Sequence, residues 1–297
     1  MNIWRINLKP DAKKNVDSHQ FCMENKIVGI GWPVANVLAP VSWKKYLEAA
    51  EEQYKGDGHK GWRKAINIMK NRMYKDDLIW TRDSKGIYSL GRIMSDWCYD
   101  GSNSYLDADI VNFRECEWYK IGTVDAIPGK IVNSFIPPAT VQQVRSSAVM
   151  IFSQLIYNEK NKSNFYKVDK LSSKNIFDLL SPDDCEDVLA IYLQEKYNYY
   201  LIPSSCKKTT PAYEYTLINA KTNKCAIAQV RSGNESLNID GYSKYDTRVY
   251  LFATSGNYLG QPKANITTVE PEEIRKFLYE YTHLLPKKMK VWVNMSR

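Results

Sequence analysis

The segment Cys225-Ala-Ile-Ala-Gln-Val-Arg231 reads as a strand, and in a strand Gln229 and Arg231, two residues apart, lie on one face. A second strand-like segment, Tyr213 to Asn219, precedes it across a turn at Ala220 to Lys224. If the hairpin closes symmetrically about that turn, Glu214 falls opposite Gln229, and a carboxylate, an amide and a cation share one patch of sheet. Arginine keeps its proton at any ordinary pH, so Arg231 is suited to orienting groups rather than to moving protons. A slip of one residue would send Glu214 to the opposite face, so the constellation is only as good as the register.

The elements that must hold this patch are equally legible. Ser181-Pro-Asp-Asp-Cys-Glu186 opens a helix: Ser181 is a favoured N-cap, Pro182 suits the first helical position and Asp184 completes an S-x-x-D box. Cys185, Val188, Leu189 and Tyr192 then form an apolar stripe, with Glu186 on its edge. Tyr199 to Pro203 reads as a strand ahead of the hairpin, giving helix, strand, strand, strand.

This order and these residues resemble the PD-(D/E)xK nuclease core, in particular the Mrr-like branch whose second half-motif reads QxK. The stretches SPDDCEDVLAIYLQ and CAIAQVRSG carry the likeness, over about residues 175 to 280. It implies a restriction-endonuclease-like αβ domain with a mixed central sheet, spanning 175–297. By the same resemblance Glu214 stands where the metal-binding acid sits, Gln229 where the second acid or its glutamine replacement sits, Arg231 where the lysine sits, and Glu186 where the helix carboxylate sits. A Mg²⁺ or Mn²⁺ ion held by Glu214 and Gln229 is the implied cofactor. Two departures stand out: the usual aspartate is Glu214, one methylene longer, and the usual lysine is Arg231. The second sets hydrolysis against binding without cleavage.

Seven of the eight tryptophans fall in the first 120 residues, a shift of composition that separates the first part of the chain from the second. Asn2 to Leu8 alternates like a strand, Ile27 to Trp32 (IVGIGW) is a short apolar run, and Ser42 to Tyr54 and Lys60 to Arg72 read as helices. Asp77 to Arg82, a turn at Asp83-Ser-Lys-Gly86, and Ile87 to Ile93 form a strong hairpin signal. Ile110 to Arg114 and Trp118 to Val124 are further strands, Thr140 to Ile156 is helix-like, and the polar run 158–174 is a linker. Trp4, IVGIGW, a helix and DLIWTRDSKGIYSLGRI together resemble PUA-like barrels of the EVE type, which are similar to YTH domains. The resemblance covers about residues 1 to 135. It implies an N-terminal β-barrel with helices, within a domain spanning 1–157, that reads a modified or flipped base. Such a base needs aromatic faces and a few polar groups. Trp32 and Trp80, with Tyr88 and Trp97 in reserve, are the expected walls; Asn7 offers a polar edge, and Arg82 and Arg92 offer phosphate contacts.

The fold class expected is thus α/β (α+β) in two domains. The formal charge of +8, shared equally between residues 1–160 and the rest, lets either part face an anion. Six scattered cysteines without a CxxC pair and three histidines argue against structural zinc, and a chain of 297 residues has no need of disulfides. No apolar stretch is long enough to span a membrane and no secretory signal opens the sequence, so a cytoplasmic protein with no membrane partner is expected. The joined reading is a modification-dependent restriction endonuclease of phage defence, acting on DNA with a modified base; a homodimer cutting both strands is compatible with it. The alternatives are a nucleic-acid-binding protein with a degenerate nuclease core, and a second half that binds a protein partner. No GxxxxGK[ST] is present, so ATP-driven translocation would need a separate protein.

Overall fold

A computed structural model describes residues 1–8, 16–35, 41–55, 61–168, 175–206 and 212–296. The chain divides into two compact units, Met1–Val168 and Asp169–Arg297, each with mixed α and β structure. The boundary falls inside the segment expected as a linker, but that segment begins as structure: helix runs to Asn161, and the buried Tyr166 donates its hydroxyl to the Asp76 carbonyl at 2.9 Å.

Unit 1 contains, in chain order, β1 (Ile3–Ile6), α1 (Ser18–Glu24), β2 (Ile27–Ile30), α2 (Trp43–Gln53), α3 (Trp62–Asn67), β3 (Leu78–Arg82), β4 (Tyr88–Ile93), β5 (Cys98–Tyr99), α4 (Asn103–Asp107), β6 (Asn112–Gly122), α5 (Gly129–Ser134), β7 (Val141–Gln143) and α6 (Ser147–Asn161). The sheet runs β2-β6-β4-β3-β1-β7, with β5 also on β6. Only β1 and β3 are parallel among these pairs, so the sheet is mixed. It curls as a half-barrel, whereas the sequence led us to expect a barrel; among the described residues β2 and β7, the ends of the order, do not pair.

Local chemistry explains most boundaries. The β3–β4 turn closes because Asp83 accepts from the Lys85 and Ile87 amides at 2.9 and 2.7 Å and Gly86 takes a left-handed φ of 79°. The two strands expected near 110–124 are one long strand, β6. Thr140 to Ile156 is not a single helix: Val141 to Gln143 add to the β1 edge, and Ser146, accepting from the Val149 amide at 3.4 Å, then starts α6. After α3 the chain widens into a π turn at Ile68–Arg72, and the buried Arg114 donates to the freed Met69 and Lys70 carbonyls at 2.7 and 3.0 Å.

Alternation along β3 sends Ile79 and Trp80 to opposite faces. Ile79 joins Trp4 and the apolar side chains of α1, α2 and α3 in one core. Trp80 is wholly buried on the other face, its indole donating to Ser153 of α6 at 2.9 Å.

Unit 2 continues with α7 (Pro182–Tyr197), β8 (Tyr199–Leu201), β9 (Tyr215–Asn219), β10 (Cys225–Arg231), β11 (Leu237–Asn238), β12 (Arg248–Ala253), β13 (Tyr258–Leu259), β14 (Ile266–Thr268), α8 (Pro271–Glu280) and α9 (Lys287–Met295). Its main sheet has the order β14-β12-β10-β9-β8, antiparallel from β8 to β10 and parallel from β10 to β14. This is the mixed sheet expected from the sequence. The capping box at Ser181 and Asp184 is formed, and α7 packs on β10 and α8. Among the described residues no helix is long and apolar enough to cross a membrane.

Because Trp80 fills the space between sheet and α6, Trp80→Ala should cost about 3–5 kcal/mol of folding free energy in denaturant unfolding. A loss near zero would show that the indole is not core.

Candidate functional site

The pairing of β9 with β10 decides where the chemistry lies. Cys225 stands opposite Ile218, Ala226 opposite Leu217, Ile227 opposite Thr216 and Ala228 opposite Tyr215, the symmetrical register expected from the turn. The Glu214 amide donates to the Ala228 carbonyl at 2.9 Å, carrying the ladder past the end of β9. Glu214 and Gln229 therefore meet: the Gln229 amide nitrogen lies 2.5 Å from a Glu214 carboxylate oxygen and also donates to the Val230 carbonyl at 3.0 Å. The Arg231 guanidinium is 3.8 Å from the same carboxylate and 3.6 Å from that of Glu235. Gln229 is only 3% exposed, while the side chains of Glu214 and Arg231 are 27% and 42% exposed. The patch thus has a buried floor and an accessible rim.

Glu186 lies on α7, which is met by Tyr215, the neighbour of Glu214 whose side chain alternates to the opposite face of the strand. The hydroxyl of the buried Tyr215 donates to the Glu186 backbone carbonyl at 3.1 Å. That hydroxyl is pushed far above its usual range, first by burial and then by the negative charges of Glu186, Asp187 and Glu214. Three carboxylates therefore act on one phenol between helix and sheet. Tyr242 marks the rim: burial raises its hydroxyl, the Arg231 charge opposes this, and Glu214 adds to it. Sequence reasoning missed Glu235 and Tyr242. Glu235 and Tyr242 lie beyond the last strand of the motif, where no periodicity points back to the site.

The donor chemistry suits a hard divalent cation. A carboxylate and an amide oxygen are oxygen ligands of the kind Mg²⁺ takes, and Mg²⁺ commonly fills its remaining positions with water and substrate phosphate. Among the described residues no group of three His, Cys, Asp or Glu side chains is gathered to hold a metal, so the protein would supply a small share of the shell. Gln229 presents its nitrogen to Glu214 here, and would have to turn its amide over to offer the oxygen.

In unit 1 the expected reader residues separate. Trp80 is core and offers no face for stacking, a correction that follows from which side of β3 it occupies. Tyr88 is 2% exposed and packs edge-on against Phe135. Trp97 is 8% exposed, with Trp43 edge-on at 5.1 Å and its indole donating to Asn112 at 3.2 Å. Asn7 is tied to the 139–140 backbone by its side-chain and main-chain amides. Arg82 lies over the Phe135 ring at 5.1 Å and donates weakly to the Tyr88 hydroxyl. Arg92 pairs with Asp76 at 3.2 Å and Glu117 at 3.4 Å, lies over Phe165, and is only 12% exposed. Burial alone would raise the Glu117 carboxyl, but bonds from Tyr157 and Tyr119 and the charge of Arg92 bring it below its usual range.

Trp32 differs from the other aromatic residues expected as walls. It is half-buried, with Tyr54 edge-on at 5.3 Å, and its φ of 69° is rare for a bulky residue. Such a conformation costs on the order of 1–3 kcal/mol and persists where the surroundings over-determine it. Here the Trp32 carbonyl accepts from the Tyr46 hydroxyl at 3.0 Å, and Asn112 donates to the Gly31 carbonyl at 2.6 Å.

Residues 4–142 match the family model of a domain of unknown function, DUF8426, over somewhat less than half of the chain. The match covers the curled sheet and the Trp32 loop but none of the Glu214 patch. No curated protein matches the chain.

Removing the Glu214 acceptor leaves one N–H of the buried Gln229 amide unpaired, the other keeping its bond to the Val230 carbonyl, so Glu214→Ala should cost about 1–3 kcal/mol of stability. Glu214→Gln keeps an acceptor and should cost less in the same denaturant titration; equal losses would show that Gln229 does not depend on this bond.

Proposed function

We propose that the chain binds nucleic acid, reading a modified or extruded base of DNA with unit 1 and hydrolysing phosphodiesters with unit 2, as modification-dependent restriction enzymes do in phage defence. The observation that carries this reading is the register that puts Glu214, Gln229 and Arg231 on one accessible patch. The resemblance of SPDDCEDVLAIYLQ and CAIAQVRSG to Mrr-like nucleases gives the patch its chemistry.

In this mechanism Arg231, on the rim, grips a non-bridging phosphate oxygen and opposes the charge that develops as water adds to phosphorus. It stays protonated throughout, so it orients the phosphate and does not take the water's proton. Glu214 and Gln229 would hold Mg²⁺ or Mn²⁺, and Glu186 would help directly or through water. When bound, the ion would polarise the phosphoryl oxygen and lower the pKa of the attacking water. In unit 1 the exposed part of the Trp32 ring stacks on the extruded base, and its strained, doubly braced backbone keeps the ring ready for it.

A second reading, nucleic-acid binding without cleavage, draws on two features of the same patch. Glu214 is already partnered by a guanidinium and an amide N–H, and the flexible lysine of the motif is replaced by Arg231.

Incubation of the full chain with modified and unmodified plasmid and Mg²⁺ or Mn²⁺ tests both. Metal-dependent nicking that disappears in Glu214→Ala while DNA affinity stays supports hydrolysis, and Arg231→Lys should then cleave at least as fast as the wild type. Firm binding with no nicking on any substrate supports the second reading. Trp32→Ala should lower affinity by about 1–3 kcal/mol, roughly five-fold to more than a hundred-fold, with little change in melting temperature. Unchanged affinity would remove Trp32 from the reader.

A further inference from the structure

A cleft of about 700 Å³ opens in unit 1 among α3 and the π turn after it, α5 and β7. Four cationic side chains line it, Lys64, Arg72, Lys130 and Arg145, and no carboxylate does. All four are exposed. Among the described residues none of them forms a salt bridge, whereas Arg92 and Arg114 of the same unit do. Arg72 is held in place, donating to Gln143 at 3.2 Å with its guanidinium over the Trp4 ring.

The wall behind the cleft adds to its charge. Arg5 of β1 is wholly buried and donates to the Ala139 and Pro137 carbonyls and to the Gln142 side chain, three neutral acceptors. Its Nε is buried with no partner among the described residues. Pro137, Ala139 and Gln142 are themselves cleft-lining residues, so a cation held only by neutral groups lies one layer beneath the surface. Four exposed cations over a fifth make a concave surface of one sign, which focuses field on an anion. The side-chain amides of Gln142 and Gln143 supply neutral hydrogen-bonding groups between the charges.

We infer that this cleft, whose lining includes neither Trp32 nor Glu214, binds the sugar–phosphate backbone of the nucleic acid. The inference rests on the nucleic-acid reading and gives it a site that neither resemblance assigned: Arg82 and Arg92, expected as phosphate contacts, are engaged with aromatic rings and carboxylates, and the charge that can meet phosphate lies here instead. A series of cations suits a polyanion with repeated charges, and backbone contacts position the strand without reading sequence.

The test is the salt dependence of binding of the full chain to a fluorescent DNA duplex and to its single strand. Lys64, Lys130 and Arg145 are changed together to alanine; Arg72 is left because it braces Gln143 and Trp4. A control variant replaces the exposed Lys44, Lys45 and Lys120, which do not line the cleft. Every phosphate that the variant no longer neutralises should flatten the slope of log affinity against log salt by about 0.9 on duplex, so the triple variant should have a slope shallower by roughly two to three. It should bind at least about tenfold more weakly at low salt while the control binds as the wild type does. A triple variant with unchanged slope, beside a wild type that binds firmly, overturns the cleft and leaves the nucleic-acid reading standing. Failure of the wild type to bind either probe overturns both. An equal weakening in the control variant also overturns the inference, since the charge would then act without a location.

Discussion

The antiparallel register of β9 against β10 is the constraint on which the candidate site depends. Side chains on a strand alternate with a period of two, so a slip of one residue could preserve the backbone ladder and still scatter the site. What pins the register is apolar burial on the face opposite Glu214: Tyr215 and Leu217 of β9, and Ala226, Ala228 and Val230 of β10, are buried there. Moving Glu214 to the other face would require this apolar set to move as well. The polar patch is therefore held by the core beneath it rather than by its own ion pairs, which are partly exposed and worth little.

Unit 1 shows the same logic with a different result. Its curled sheet separates two apolar faces, one covered by α1, α2 and α3 and the other by α6, and the tryptophans are divided between them. Most are structural filling. The Trp32 loop adds a different feature, since hydrogen bonds from Tyr46 and Asn112 to its carbonyls hold the backbone of this half-buried residue in a strained conformation. Strain maintained by surrounding structure is a mark of positions kept for a purpose other than packing.

The parts of the structure legible in the sequence were those fixed by local chemistry. The N-caps at Ser42 and Ser181, the turn at Asp83 to Gly86 and the β9–β10 hairpin all follow from residues close together in the chain. What was not legible depended on partners far away. Whether Trp80 lined a pocket or filled a core turned on Ser153 of α6, and whether Arg92 was free turned on Asp76 and Glu117. The basic cleft was illegible for the same reason: Lys64, Arg72, Lys130 and Arg145 come from separate segments of the chain that meet at the cleft. In unit 2, Glu214, Gln229 and Arg231 could be foreseen because one hairpin contains them, and Glu235 and Tyr242 could not.

The central claim, that the register builds a patch able to take a divalent cation, is tested most directly by the anomalous signal of Mn²⁺ soaked into crystals of the full chain. The account predicts a peak in direct contact with the Glu214 carboxylate, with the Gln229 amide turned so that its oxygen faces the ion and Arg231 displaced from its 3.8 Å approach. A map with no peak at this patch, the Gln229 nitrogen still on Glu214 and Arg231 still paired, would contradict it.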